Sequence, residues 1–261
     1  MTISRWLWAY DTHHPKVSWR TFYCMLDFMD DWQLEGFGFG GDQFHNDEIS
    51  HHTKNKPMFR EKGAFKRNTI SFERAILKPI EERLSKTTQR VWLVGNHDRW
   101  ESDLIEEQPE LDGIIERTES LRLVERGWKI VKNGRSFTNG KLICSHGDEL
   151  SGFGNQTPQN HSKKAVDIYG KNVLYGHMHA PQSATKVSPV DMTQKRMAWC
   201  APILGNVNPH YLRNRPTAWL NGFVVVEFWG QSGSFNLYPI VVVEGKFSYG
   251  GKFYDVSKGS K

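Results

Sequence analysis

A chain of 261 residues with formal net charge +5 and a sequence pI near 9.0 is long enough for one well-packed domain, and its 10 Trp and 15 Phe argue against disorder. Its three cysteines, Cys24, Cys144 and Cys200, are far apart and lack a C-x-x-C pattern, which excludes a disulfide framework or zinc knuckle and points to a reducing compartment. No stretch approaches the roughly 20 apolar residues that span a bilayer, and the first apolar run meets Asp11 without room for a signal region, so we expect a cytoplasmic protein with no membrane partner.

The first apolar run, Trp6 to Tyr10, has strand length and ends on Asp11-Thr12-His13. Val17 to Leu34 places Trp19, Phe22, Tyr23, Leu26 and Met29 at three- and four-residue steps, the spacing of an amphipathic helix. Phe37 to Phe39 is a second strand, ending on Gly41-Asp42. Between Ser50 and Arg67 six cations, Lys54, Lys56, Arg60, Lys62, Lys66 and Arg67, face the single anion Glu61, a local field that favours phosphate-rich partners. Asn68 to Lys86 predicts a second helix, kinked at Pro79. Val91 to Val94 follows as a strand ending on Gly95-Asn96-His97-Asp98, and Asp103 to Val124 reads as helical or mixed. Lys129 to Val131 and Leu142 to Cys144, with Asn133-Gly134 and Asn139-Gly140 between them, predict hairpins. Ser145-His146-Gly147 closes the second of these strands, and Val173 to Tyr175 ends on Gly176-His177-Met178-His179. Beyond residue 181, Phe223 to Trp229, Phe235 to Val243 and Phe247 to Tyr254 read as antiparallel strands. The expectation is a single domain over 1–261, with 1–180 bearing the motifs and 181–261, mostly β, completing a second sheet.

Five polar clusters thus follow five strand-sized runs, and successive clusters are separated by about the length that a strand, crossover and strand require. In an open α/β sheet the carboxyl ends of the strands gather ligands, so these clusters are expected to converge. Their chemistry is hard carboxylate with imidazole, the mixture that two divalent ions clamping an in-line displacement at phosphorus need. Asp-x-His and His-x-His put two donors on one side of an extended segment, and the glycines before Asp42, Asn96 and His177 suit a tight, positive-φ turn.

On these motifs, from about Trp6 to Ala180, the chain resembles the calcineurin-like metallophosphoesterases, which carry D-x-H, G-D-x-x-D/N, G-N-H-D/E, a lone histidine and G-H-x-H in this order. The resemblance implies a four-layered α/β/β/α sandwich. It implies one ion on Asp11, His13 and His179, a second on Asn96, His146 and His177, and Asp42 bridging both. It also implies a bridging hydroxide as nucleophile, His97 stabilising the transition state or protonating the leaving oxygen, and Asp98 orienting His97. A histidine with near-neutral pKa suits such general-acid work. Manganese is the expected metal, with iron, nickel and zinc suited to the same donors. One station departs from the pattern: three residues after Asp42 stands His45, followed by Asn46 and Asp47. Either His45 replaces the usual residue, or Asn46 serves after a one-residue shift.

The expected activity is hydrolysis of a phosphoester, favouring a phosphodiester of DNA, RNA or a nucleotide. Phosphomonoester hydrolysis is the alternative, and a catalytically inactive nucleic-acid-binding module is the rival from another class. The basic run, the loop Ser151 to Lys164, Arg213 and Arg215 would form a phosphate-binding rim, with Trp100 and Phe153 available to stack on a base and His14 and His161 able to reach in. The stretch Tyr211 to Phe223 resembles tails of phage and prophage phosphoesterases.

Overall fold

The structure, a computed structural model, describes residues 2–53, 55–57, 61–152, 159–213 and 215–256. Four strands form a parallel core: β1 (Ser4–Ala9), β2 (Gly36–Phe39), β3 (Gln89–Leu93) and β4 (Trp128–Val131). The second sheet holds β5 (Phe137–Asn139), β6 (Leu142–Ser145), β7 (Asn172–Tyr175), β8 (Gln182–Val187) and β9 (Lys195–Cys200), in the order β5-β6-β7-β9-β8. The residues beyond 181 do not all join that sheet, as the sequence suggested. β10 (Gly222–Trp229) lies antiparallel to β1 and carries β11 (Ser234–Val241) on its outer edge, extending the first sheet to six strands. The physical reason is that β10 is apolar on both faces: Phe223 and Val225 meet the helices while Val224 and Val226 meet the opposite sheet. β12 (Lys246–Tyr249) and β13 (Lys252–Asp255) pair as a separate hairpin.

Strand alternation sorts the core into layers. Trp6, Trp8 and Tyr10 point from β1 toward the second sheet and pack with Phe137, Leu142, Cys144 and Leu174. Leu7 and Ala9 point the other way, against Phe22, Met25, Phe28 and Met29 of α1 (Trp19–Asp31) and Phe72, Ile76 and Ile80 of the second helical segment. On the far side of the second sheet, Val173, Tyr175 and Ala198 pack on Ala165 and Val166 of α6 (His161–Tyr169). These three apolar layers make the expected α/β/β/α sandwich. The aromatics of β1 fit because β2 faces them with glycine. A Cβ at Gly36 would lie 2.1 Å from Trp6, and one at Gly38 2.3 Å from Trp8.

The second helical segment begins earlier than its periodicity indicated, at α2 (Ala64–Phe72), widens into a π-helical stretch over Glu73–Leu77 and ends in α3 (Lys78–Glu81). Pro79 has no N–H to offer the preceding turn, and the chain meets that loss by widening ahead of it. Asn139-Gly140 does turn a hairpin between β5 and β6. Asn133-Gly134 does not: β4 is bound to β3 in the first sheet, and the turn carries the chain across to the second. The segment after β3 is helical from Asn96, as α4 (Asn96–Glu107), with the short α5 (Arg117–Ser120) later. No described helix is long and apolar enough to cross a membrane.

Candidate metal centre

All five polar clusters lie just beyond the carboxyl ends of parallel strands: Asp11 and His13 after β1, Asp42 after β2, Asn96 and His97 after β3, His146 after β6, His177 and His179 after β7. The two sheets face each other, so these ends meet. Among the described residues three donor groups result, Asp11 with His13 and His179, Asp42 with His146 and His177, and His13 with His45 and His97. In the first, His179 Nε2 stands 3.2 Å from both Asp11 Oδ1 and His13 Nε2. In the second, His146 Nε2 lies 3.3 Å from Asp42 Oδ1 and 3.1 Å from Asn96 Oδ1. Asp42 turns its other oxygen, Oδ2, toward the first group, 3.9 Å from His13 Nε2.

The backbone here is unusual. Asp11, His13, Asp42, His177 and His179 all have φ between 48° and 62°, the left-handed region that residues with a Cβ rarely occupy and that costs of order 1–3 kcal/mol at each position. The sequence placed this conformation on the preceding glycines, of which Gly41 does have positive φ, at 99°. The side-chain-bearing residues adopt it themselves, which swings each side chain off its strand end into the shared space. Gly95 and Gly176 supply room instead: a Cβ at Gly95 would lie 2.2 Å from Asp42 Oδ1, and one at Gly176 2.5 Å from Asp11 Oδ2.

Asp11 and Asp42 are buried carboxylates, among the costliest groups to desolvate without a cation. Burial alone would raise the Asp42 pKa, but the neighbouring His146 and His97 hold it well below the ordinary carboxylate range. Burial pushes the pKa of His13 well down and that of His177 down to about 4, so both rings are neutral with a lone pair to donate. His146 is the opposite case: burial disfavours its charge, yet Asp42 and Asp11 raise its pKa. The donors are oxygen and nitrogen only and closely spaced, a chemistry that fits divalent cations.

His97 and Asp98 separate in role. The His97 ring borders Asp42, with Nε2 3.9 Å from Oδ2, and its Nδ1–H donates to the carbonyl of His45 at 2.8 Å. Asp98 does not orient it. The Asp98 carboxylate accepts N–H bonds from Asp42 at 2.8 Å, Gly95 at 2.9 Å and Phe44 at 3.3 Å, so it ties the two loops together from beneath. At N3 of α4 its side chain is bound to the backbone of the N-cap, which turns it away from the ring of the preceding residue. Burial, with the Asp42 charge added, pushes its pKa up to about 8.

At the variant second motif the structure brings both His45 and Asn46 to the site, His45 beside His13 and His97 and Asn46 beneath His97. Asn46, also at positive φ, donates from Nδ2 to the His97 carbonyl at 2.8 Å and accepts from Arg117 through Oδ1. Arg117 went unnoticed in the sequence. It is almost fully buried, paired with Glu48 at 2.8 Å and Glu101 at 3.0 Å, and sandwiched between the rings of Phe44 and Phe65. Nothing local marks it, since its partners lie 16 to 71 residues away.

Other expected contributors lie elsewhere. His14 is buried against Phe44 and Phe72 and bonded to Ser71 at 2.6 Å, and His161 is buried with Nδ1 on the Tyr175 hydroxyl at 2.7 Å; both serve the core rather than the rim. Trp100 is buried with its ring 4.1 Å from that of His97, so it backs the imidazole. Trp219, which the sequence did not single out, packs edge-on to His179 at 4.4 Å. Lys56, Lys62, Lys66 and Arg67 are exposed, with Arg67 paired to Glu61 at 2.6 Å. Arg213 and Arg215 are also exposed. Lys54, Arg60 and Phe153 fall outside the described residues.

No protein-family model and no curated protein matches the chain. Among solved structures it is similar to wild-type Vps29 of Entamoeba histolytica complexed with zinc, at 10% identity over 94% of this chain and 96% of that one, TM-score 0.45. It is also similar to a conserved protein of Streptococcus pneumoniae described as a predicted phosphoesterase, at 12% identity over 97% of each chain, TM-score 0.37. A metallophosphoesterase from Sphaerobacter thermophilus is similar at 12% identity over 90% of this chain and 87% of that one, TM-score 0.37. These are distant likenesses.

Proposed function

We propose that the protein is a metal-dependent phosphoester hydrolase with a dinuclear centre, Asp11, His13 and His179 holding one divalent ion, Asn96, His146 and His177 the other, and Asp42 shared. The observation that carries this reading is the Asp42 carboxylate, which presents Oδ1 to one donor group and Oδ2 to the other. When bound, such an ion pair polarises a phosphoryl group and makes a water nucleophilic at neutral pH. The chain's own residues do the rest. Gly95 keeps space beside Asp42, Asp98 pins the Asp42 backbone, and the left-handed backbone of five donors holds their side chains where they converge. His97, with Nδ1–H committed to the His45 carbonyl, donates from Nε2 to the leaving oxygen in its imidazolium form, which burial disfavours and the Asp42 charge favours, and Trp100 packs against its ring.

A phosphodiester of a nucleic acid or nucleotide is the favoured substrate, supported by the exposed lysines of the 56–66 segment and by Trp219 beside His179. Manganese is the expected ion. An assay of the metal-reconstituted protein across a chromogenic diester, a chromogenic monoester, cyclic nucleotides, and single- and double-stranded DNA and RNA tests this. Diester cleavage abolished by chelation is the expected result. Preference for the monoester would reassign the substrate, and inactivity on the whole panel with both ions bound would mark a binding module.

A further inference from the structure

His45, where the chain departs from the resembled motif, touches both His13 and His97. We propose that His45 is a positioning residue which, with Asp47 and Lys16, fixes the ring nitrogen that His13 presents to the cation; this rests on the metal-centre reading above. His13 Nε2 faces His179 Nε2 at 3.2 Å and Asp11 Oδ1 at 3.9 Å. To ligate there it must be unprotonated, so its proton belongs on Nδ1. That Nδ1 lies 3.4 Å from His45 Nδ1, a pair that is attractive only when one nitrogen carries hydrogen and the other does not. With the hydrogen on His13, His45 accepts at Nδ1 and keeps its own proton on Nε2, and Asp47 Oδ1 stands 3.2 Å from that Nε2 to receive it.

Lys16 completes the chain, its Nζ 2.6 Å from Asp47 Oδ2. Burial alone would raise the Asp47 pKa, but the contact with His45 and then that with Lys16 draw it down to about 2. The reverse assignment fails at both ends: it sets a His45 lone pair against the Asp47 carboxylate and puts the His13 proton on the nitrogen that faces the cation. Among neutral rings a single pattern therefore satisfies these contacts, running Lys16 to Asp47 to His45 to His13. The main chain of His45 adds to this, since its carbonyl takes the His97 Nδ1–H. One residue thereby holds two imidazoles of the site, His13 by side chain and His97 by backbone. Partners of this kind behind a metal-bound imidazole typically carry 10–100-fold in metal affinity.

The test is metal binding by the full chain stripped of metal and titrated with zinc against a competing chelator. His45→Phe keeps a ring but loses the acceptor, and should weaken one of two zinc positions by about 10–100-fold while sparing the other. His45→Asn places an amide oxygen near the former Nδ1 and should restore binding close to wild type, the rescue that a packing role would not give. Asp47→Asn should show a smaller loss. Nitrogen-15 NMR of the zinc-loaded wild type should show His13 protonated at Nδ1, a readout that survives even if His45→Phe folds poorly. Undiminished binding of two zinc ions by folded His45→Phe, or a His13 proton on Nε2, would overturn the proposal and leave the dinuclear reading standing. A third zinc lost in His45→Phe would make His45 a ligand and overturn it too. No zinc bound by the wild type would bring down both.

Discussion

Two histidines on opposite sides of Asp42 are anchored by different means. Behind His13 stand side chains, His45, Asp47 and Lys16 in series, while its neighbour Asp11 takes the backbone N–H of His177 at 3.0 Å. Behind His146 stands the main chain, its Nδ1–H donating to the carbonyl of Gly40 at 3.0 Å. A backbone anchor survives any substitution that preserves the strand end, whereas a side-chain relay is broken by one change. The first position should therefore be tunable by mutation and the second robust, with Asp42 the residue that couples them.

The largest expected effect tests that coupling. Asp42→Asn should lower the occupancy of both positions and take phosphoester hydrolysis below detection, as judged by elemental analysis and assay of the same sample; loss of one ion alone would show that the groups are independent. Next is His97→Ala, which should reduce kcat by roughly 10²–10⁴-fold with metal content near wild type, and by less on a substrate with a very good leaving group. Metal lost together with activity would make His97 a ligand and redraw the first group.

Arg117→Ala should destabilise the fold by about 3–5 kcal/mol, because Glu48 and Glu101 would be left buried without their cation. Chemical denaturation measures this. Since Arg117 also holds Asn46, which holds the His97 carbonyl, whatever activity remains should suffer in kcat more than in affinity at the backbone-anchored position. Smallest is the effect of replacing Lys62, Lys66 and Arg67 together with Ala. KM for oligonucleotides should rise and its salt dependence flatten, since fewer counterions are released on binding, while a small chromogenic diester should be unaffected. Equal losses on both substrates would trace the defect to folding, and the pairing of Arg67 with Glu61 already tempers the expected size.

What the sequence shows clearly is what is encoded locally. Each donor follows a strand-sized apolar run, so parallel strands and their convergent ends were legible from Asp11, Asp42, Asn96, His146, His177 and His179 in chain order. The supports were not, because they are made by tertiary contacts. Arg117 sits in a short helix with no periodic signal and meets Asn46 71 residues away. Asp98 follows His97 directly, yet the helical turn beginning at Asn96 directs the two side chains to different loops. The last third was readable as strands but not as members of a sheet. Alternation tells which residues share a face, whereas the partner of β10 is decided by the apolar character of both its faces in the assembled sandwich.

The central claim, that Asp42 is shared by two cation positions, is tested most directly by anomalous scattering from crystals grown with manganese. The account predicts two peaks roughly 3.5–4 Å apart, one among Asp11, His13 and His179 and the other among Asn96, His146 and His177, with Asp42 between them. A single peak, or a peak within the neighbouring triangle of His13, His45 and His97, whose donor atoms also lie within 4.8 Å of one another, would contradict it.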